Sequence, residues 1–208
     1  QSIKVHIRVP GGKLLGFLVS EWGIDANPKK IGTILRMKHS VRVHDVQKLT
    51  GCLAALSRFI SRLGEKALPL YRLMKKSDKF EWNDEAKAVF EELKALLSTQ
   101  PVLGAPISKE PLLLYITVTG QGVSTVLTVE REEEGKTYKV QHPVYYISEV
   151  LTPPKQRYPH YQKLVYGIYL MTKKVAHYFL DHSVSVVSDA PLSEILNNQD
   201  ATVECPSG

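Results

Sequence analysis

Residues 112–127 read LLLYITVTGQGVSTVL, sixteen residues without a charge. Apolar residues and threonines flank a Gly-Gln-Gly centre. β-Branched and aromatic residues on either side of residues that permit φ > 0 predict two strands of a buried hairpin. A long strand of this kind can carry a metal-binding carboxylate near its middle. Here the polar residues at that place are Thr117 and Thr119. The stretch therefore reads either as an active-site strand by position or as core.

The hairpin belongs to a chain of 208 residues, enough for one large domain or two small ones. No apolar run approaches the roughly 20 residues of a membrane span, and no signal-peptide pattern opens the chain, so no membrane partner and an intracellular site, cytoplasmic or nuclear, are expected. A start at Gln1 rather than methionine reads as a piece of something longer. The two cysteines, Cys52 and Cys205, form no CxxC or Cys/His cluster, which argues against a disulfide framework or a zinc site. Charge is unevenly placed. Residues 1–78 hold 15 Lys and Arg against 5 Asp and Glu, whereas residues 79–135 hold 5 against 10. The basic first third is either a nucleic-acid footprint or a solvated surface.

Outward from the hairpin, periodicity organises the rest. Residues 3–9 alternate as a half-buried strand, Gly11-Gly12 turns, and 13–20 return as its partner. Asn27 and Pro28 open a short helix to about Met37 as N-cap and N1. In VHDVQKLTGCLAALSRFISRL (43–63), Val46, Leu49, Leu53, Leu56, Ile60 and Leu63 fall on one stripe and predict a single long helix, with Gly64 just past its end. A short helix follows over 68–76. Asn83 or Asp84 caps another, with Phe90, Leu93 and Leu97 inward. The proline-rich segment 100–111 reads as a linker into a β-rich half. There, 138–148 predicts a third strand, with Pro143 at an edge or a bulge. Residues 158–180 predict one long helix, 184–188 a short buried strand and 191–196 a closing helix; the last dozen residues read as a frayed tail.

The helix over 43–63 has a second face. Gln47, Gly51, Ala55, Arg58 and Arg62 step along it, with His44 and Lys48 beside them. Small residues in the middle let a backbone or sugar edge come close, and the cations neutralise phosphates, which is how a helix lies in a groove without reading sequence. The alternative is a plain solvent face, on which Gly51 costs about 1 kcal/mol of helix propensity without a reason.

The stretches KLLGFLVSEWGIDANPKKI (13–31), VQKLTGCLAALSRFI (46–60), ALPLYRLMKKSDKFEWNDEAKAVFEELKALL (67–97), PVYYISEV (143–150), RYPHYQKLVYGIYL (157–170) and VSDAPL (187–192) resemble, in order, the polyprotein of plant gypsy-type LTR retrotransposons. The resemblance runs from the end of the reverse transcriptase palm through thumb and connection into the ribonuclease H-like domain. It implies an α+β fold: a palm-end hairpin to residue 37, a thumb over 38–78, a connection over 79–110, and a truncated ribonuclease H-like mixed sheet with one long covering helix over 111–196. The hairpin around Leu15 and Gly16 is similar to the family's primer grip. The helix carrying Gln47, Lys48, Gly51, Ala55, Arg58 and Arg62 resembles the thumb helix that lies in the minor groove of an RNA–DNA hybrid or duplex. Ala55 departs from the larger residue usual there.

The family's nuclease uses Mg²⁺ held by several carboxylates. By the same resemblance its first-strand Asp falls at Thr117, its catalytic Glu at Leu164 and a neighbouring Glu at Gln162; only Asp189 keeps the acid, as a vestigial catalytic residue or simply an N-cap. The paired palm aspartates have no counterpart in this sequence. The implied function is a retrotransposon-derived reverse transcriptase/ribonuclease H-like fragment, itself inactive, without a cofactor or metal of its own and with residual sequence-independent nucleic-acid binding. The alternative is a non-catalytic structural domain packing with the remainder of a polyprotein.

Overall fold

The computed structural model describes residues 12–14 and 17–20 (backbone only), 23–39, 42–74, 80–99, 102–188, 190 and 192. The strand expected over 3–9, most of the helix over 191–196 and the tail lie outside the described residues, as do Leu15, Gly16 and Asp189.

The first sheet is antiparallel throughout, in the order β1 (Gly12–Leu14), β2 (Phe17–Ser20), β3 (Gly23–Asp25), β4 (Val102–Gly104). Two expectations change here. Residues 13–20 are not one strand: Leu14 pairs with Phe17, so a hairpin closes inside that segment. Nor is 100–111 only a linker. Its Val102–Gly104 extends the sheet beside β3, and Leu103 is buried in the first core.

Around this sheet stand α1 (Pro28–Arg36), α2 (Val43–Ala55), α3 (Leu63–Lys66), α4 (Leu68–Leu73) and α5 (Asp84–Ser98). Asn27 caps α1 by accepting from Lys29 N–H at 3.0 Å, with Pro28 at the first helical position. Asn83, rather than Asp84, caps α5, accepting from Ala86 N–H at 2.9 Å. Each cap stabilises its helix by about 1 kcal/mol. The apolar stripe of α2 is buried as its spacing requires: Val46, Leu49 and Leu53 pack with Ile34, Phe90, Leu93 and Leu97.

The single helix expected over 43–63 is broken. After Ala55 the chain makes a 3₁₀ turn, Ser57–Phe59, then an extended Ile60 and a left-handed Arg62 (φ 54°) before α3. Tertiary packing overrides the periodicity. The redirected chain brings Gly64 into α3 against β7, where its N–H donates to Ser148 Oγ at 2.9 Å. A Cβ on Gly64 would stand 2.9 Å from that same oxygen, so Gly64 serves close approach rather than helix termination.

The second sheet has the order β7-β6-β5-β8, built from β5 (Leu112–Val118), β6 (Gly122–Arg131), β7 (Val140–Val150) and β8 (Val184–Val187). β8 runs parallel to β5 and the other pairs are antiparallel, giving the mixed sheet. The quoted stretch is the β5–β6 hairpin. Its glycines do not have positive φ; Gly122 is needed because a Cβ there would stand 3.0 Å from Glu65 Cγ and 3.2 Å from Glu149 O. Both readings of Pro143 hold. β7 ends the sheet, and the register slips between Leu127 (opposite Tyr145) and Thr128 (opposite Pro143).

After α6 (Pro153–Gln156), a turn absent from the periodicity, α7 (His160–Lys174) lies across the sheet and buries Leu164, Gly167 and Met171. It does not continue unbroken to residue 180. Val175 leaves the helix, and α8 (Ala176–Asp181) sets Tyr178 and Phe179 against the second core. β8 is not buried: Val186 and Val187 are each 39% exposed at the sheet's edge. Glu110 ties the incoming chain down, taking Arg131 Nε and Nη2 at 2.9 and 2.8 Å on its two oxygens.

Candidate nucleic-acid interface

α2 presents Gln47, Lys48 and Gly51 to solvent, with Ala55 half-buried at its end. A Cβ on Gly51 would meet nothing within 4 Å. Among the described residues nothing therefore requires glycine at this position, although it weakens the helix.

Arg58 and Arg62 do not extend this face. The break after Ala55 swings Arg58 over Tyr145 of β7, its guanidinium carbon 5.2 Å from the ring centroid. Burial pushes the Tyr178 phenol above its ordinary pKa, and the nearby Arg58 charge acts against that shift. Arg62 pairs with Glu65 at 2.7 Å, and Glu65 also accepts from Thr119 in the β5–β6 turn. Arg58 thus meets the second sheet directly, whereas Arg62 braces Glu65, which makes the contact to the β5–β6 turn. The stripe read as continuous from Gln47 to Arg62 ends at Ala55, because helical spacing applies only as far as the helix runs.

A second surface lies on the other sheet. Thr117, Leu164, His160, Val187 and Ser188 line an open hollow of about 360 Å³ between β5, the start of α7 and the end of β8. Thr117 is exposed and Leu164 is 2% exposed. Gln162, half-buried on α7, is not among the described residues that line it. His160 belongs to the hollow, and no spacing rule places it beside Thr117, 43 residues earlier.

Oxygen-seeking divalent ions need several carboxylates brought together. The described walls offer hydroxyls, one imidazole and a buried isobutyl group. These residues do not fit a two-metal site. Among all the described residues, no three His, Cys, Asp or Glu side chains gather closely enough to hold a metal ion. Among the same residues no helix is long and apolar enough to cross a membrane.

A family model described as "RNase H-like domain found in reverse transcriptase" matches residues 82–186, just over half of the chain. The chain belongs to this RNase H-like family. Over 182 residues it is 27% identical to the Gag-Pol polyprotein of baboon endogenous virus (strain M7), a match covering 88% of this chain and 10% of that protein. It is 26% identical over 176 residues to the retrovirus-related Pol polyprotein from transposon 297 of Drosophila melanogaster, covering 84% and 16%. The chain thus spans a small part of the relatives it matches. Among solved structures, the foamy viral protease-reverse transcriptase in complex with RNA/DNA hybrid superposes with a TM-score of 0.70 at 17% identity, covering 92% of this chain and 26% of that one. The same protein in complex with dsDNA gives 0.69 at 18%, covering 89% and 38%. The RNase H-like α/β architecture with its four-stranded mixed sheet is therefore the family's fold.

Proposed function

We propose that this chain is the thumb, connection and RNase H-like part of a gypsy-type LTR retrotransposon polyprotein of plant type, without nuclease activity, that binds duplex or hybrid nucleic acid through α2. An intracellular setting is part of this reading. The observation that carries the binding is the open space over Gly51, flanked by exposed Gln47 and Lys48. A glycine that costs helix stability and relieves no contact among the described residues is explained by an external backbone lying close to it. Similarity to proteins solved with dsDNA and with RNA/DNA hybrid supports the choice of ligand. The reading of lost catalysis rests on Thr117 and Leu164 lining the hollow where the resemblance puts carboxylates.

The test is binding of a short RNA–DNA hybrid across a salt series. Affinity is expected to fall steeply with salt. Lys48→Ala should make the slope shallower by about one unit, and Gly51→Leu should weaken binding at every salt concentration. No labelled hybrid should be cleaved with Mg²⁺ or Mn²⁺. Folded protein that fails to bind at low salt, or that cleaves, overturns the proposal. A second reading, a non-catalytic structural domain of a larger polyprotein, is favoured by one observation: Arg58 and Arg62 contact groups of this same chain.

A further inference from the structure

The outer side of α7 carries a surface that neither α2 nor the hollow uses. Between Glu149 and Asp181 the sequence contains no acid, while Lys155, Arg157, Lys173 and Lys174 alternate with tyrosines. Tyr166, Tyr169 and Lys173 stand at i, i+3 and i+7, so they share one stripe of the helix. Leu164, Gly167 and Met171, which are buried against the sheet, lie elsewhere on its circumference.

The two rings form an ordered pair. Their centroids are 6.2 Å apart with planes inclined by 23°, a stacked arrangement. Tyr166 is fixed from below: its hydroxyl donates to Glu149 at 2.7 Å and accepts from Lys155, whose ammonium lies 4.2 Å from the ring centroid. Lys155 also pairs with Glu149 at 3.1 Å, so that carboxylate is matched. Lys173 reaches the Tyr169 hydroxyl at 3.3 Å and stands 5.6 Å from the ring centroid. Yet Tyr169 remains 51% exposed. Single exposed aromatic residues are ordinary on protein surfaces. A pre-set stacked pair rimmed by cations, in a stretch without acids, is a different object. It offers a flat π surface and positive charge together.

We infer that the Tyr166–Tyr169–Lys173 stripe is a stacking platform for unpaired bases of a single-stranded nucleic acid, taken without sequence preference. The ring of Tyr169 receives a base and Lys173 neutralises the adjoining phosphate. A duplex cannot use this surface, because its bases are already stacked. The inference therefore stands independently of the groove proposed for α2.

The experiment uses the full chain with a labelled oligothymidylate and, separately, with the RNA–DNA hybrid. Tyr169→Ala should weaken oligothymidylate binding by roughly 5- to 150-fold, and Tyr169→Phe, which keeps the ring, should retain it. Lys173→Ala should make the single-strand salt slope shallower by about 0.7 unit. Hybrid binding should not respond to Tyr169→Ala, and oligothymidylate binding should not respond to Gly51→Leu. Wild-type affinity in Tyr169→Ala, absence of single-strand binding by folded wild type, or equal displacement by polyglutamate would each overturn the inference. The last of these would assign the surface to acidic polypeptide.

Discussion

Gly51 and Gly167 invite the same substitution with opposite results. Both lie inside helices, α2 and α7. Replacing either with alanine improves helix propensity by about 0.8–1.0 kcal/mol. At Gly51 the new methyl meets nothing within 4 Å, so the whole gain is realised. For a chain of this size that raises Tm by roughly 2–4 °C. At Gly167 the methyl would stand 2.9 Å from Ile116 Cγ2, 3.0 Å from Val123 Cγ1 and 3.2 Å from Thr125 Cγ2. All three neighbours are β-branched and stiff at χ1, and they sit on paired strands, so they do not swing aside. Overpacking of this kind costs about 1–3 kcal/mol. Set against the propensity gain, Gly167→Ala should be destabilised by up to about 2 kcal/mol. Urea unfolding followed by circular dichroism, with calorimetry at the same pH, reads both midpoints. Gly51→Ala should move up and Gly167→Ala down. A fall for Gly51→Ala would mean that its face is packed rather than open. A rise for Gly167→Ala would mean that α7 does not press on the sheet, and the fold as described would be wrong there.

Other perturbations follow from the same packing. Thr125 Oγ1 is buried with no hydrogen-bond partner among the described residues, so Thr125→Val should raise the urea midpoint, by about 1 kcal/mol or more of stability; a lower midpoint would show that the hydroxyl is satisfied. The hydrogen bond from Arg131 holds the Glu110 carboxyl below its ordinary pKa, against the burial that would raise it. A depressed carboxyl stabilises the fold above its unfolded pKa, about 4.3, and that contribution disappears as pH falls through the lower folded value. Glu110→Gln should accordingly flatten the acid limb of a Tm-against-pH profile, and an unchanged limb would refute the linkage. Leu164→Glu buries a carboxyl at a site 2% exposed. It should lose at least the roughly 1.5–3 kcal/mol of leucine burial and raise the new group's pKa. Its stability should then decline further as pH rises from the unfolded value through the folded one; a flat profile over that range would show that the position is solvated.

Much of the fold is written locally. The α2 stripe, the caps Asn27 and Asn83, the hairpin over 112–127 and the bulge at Pro143 each follow from residues within one or two turns of each other. What the sequence concealed depends on partners far apart in the chain. Gly64 looks like a helix terminator until Ser148, 84 residues away, is placed against its N–H. Val102–Gly104 resembles a proline-rich linker because the strand it joins lies near residue 24. The buried appearance of VSVV at 184–187 reflects composition alone, and composition cannot say that β8 takes the sheet's edge. The candidate site divides along the same line. That Gln47, Lys48 and Gly51 share one exposed face is legible because a helix carries them in sequence order. Arg58 and Arg62 leave that face because the helix breaks after Ala55, and the packing of Gly64 on β7 that accompanies the break is not local in sequence.

That break also changes how the basic first third should be counted. A cation contributes to nucleic-acid binding to the extent that binding does not strip it from an internal partner. Lys29, Lys30, Arg36, Lys38, Arg42 and Lys48 are exposed on α1, α2 and the segment between them, in a stretch with one acid, Asp45. Beyond residue 56 the pattern reverses: Arg58 lies over Tyr145, Arg62 pairs with Glu65, Lys66 with Glu92 and Arg72 with Glu85. Exposed ion pairs are worth only about 0–1 kcal/mol and could in principle be exchanged for a phosphate. Arg62 is different, because its carboxylate is not exposed: the Glu65 side chain is 17% exposed and also receives the Thr119 hydroxyl. Moving Arg62 to a phosphate would leave that acid half-buried without its cation and loosen the β5–β6 turn, a cost of the kind that a buried unpaired charge carries. For the binding proposed for α2, the electrostatic footprint is therefore shorter than the run of basic residues. It ends with α2: among the described cations after it, Arg58 lies over the second sheet, Arg62 braces Glu65 beside the β5–β6 turn, and Lys66 and Arg72 pair with acids of α5 inside the helical unit.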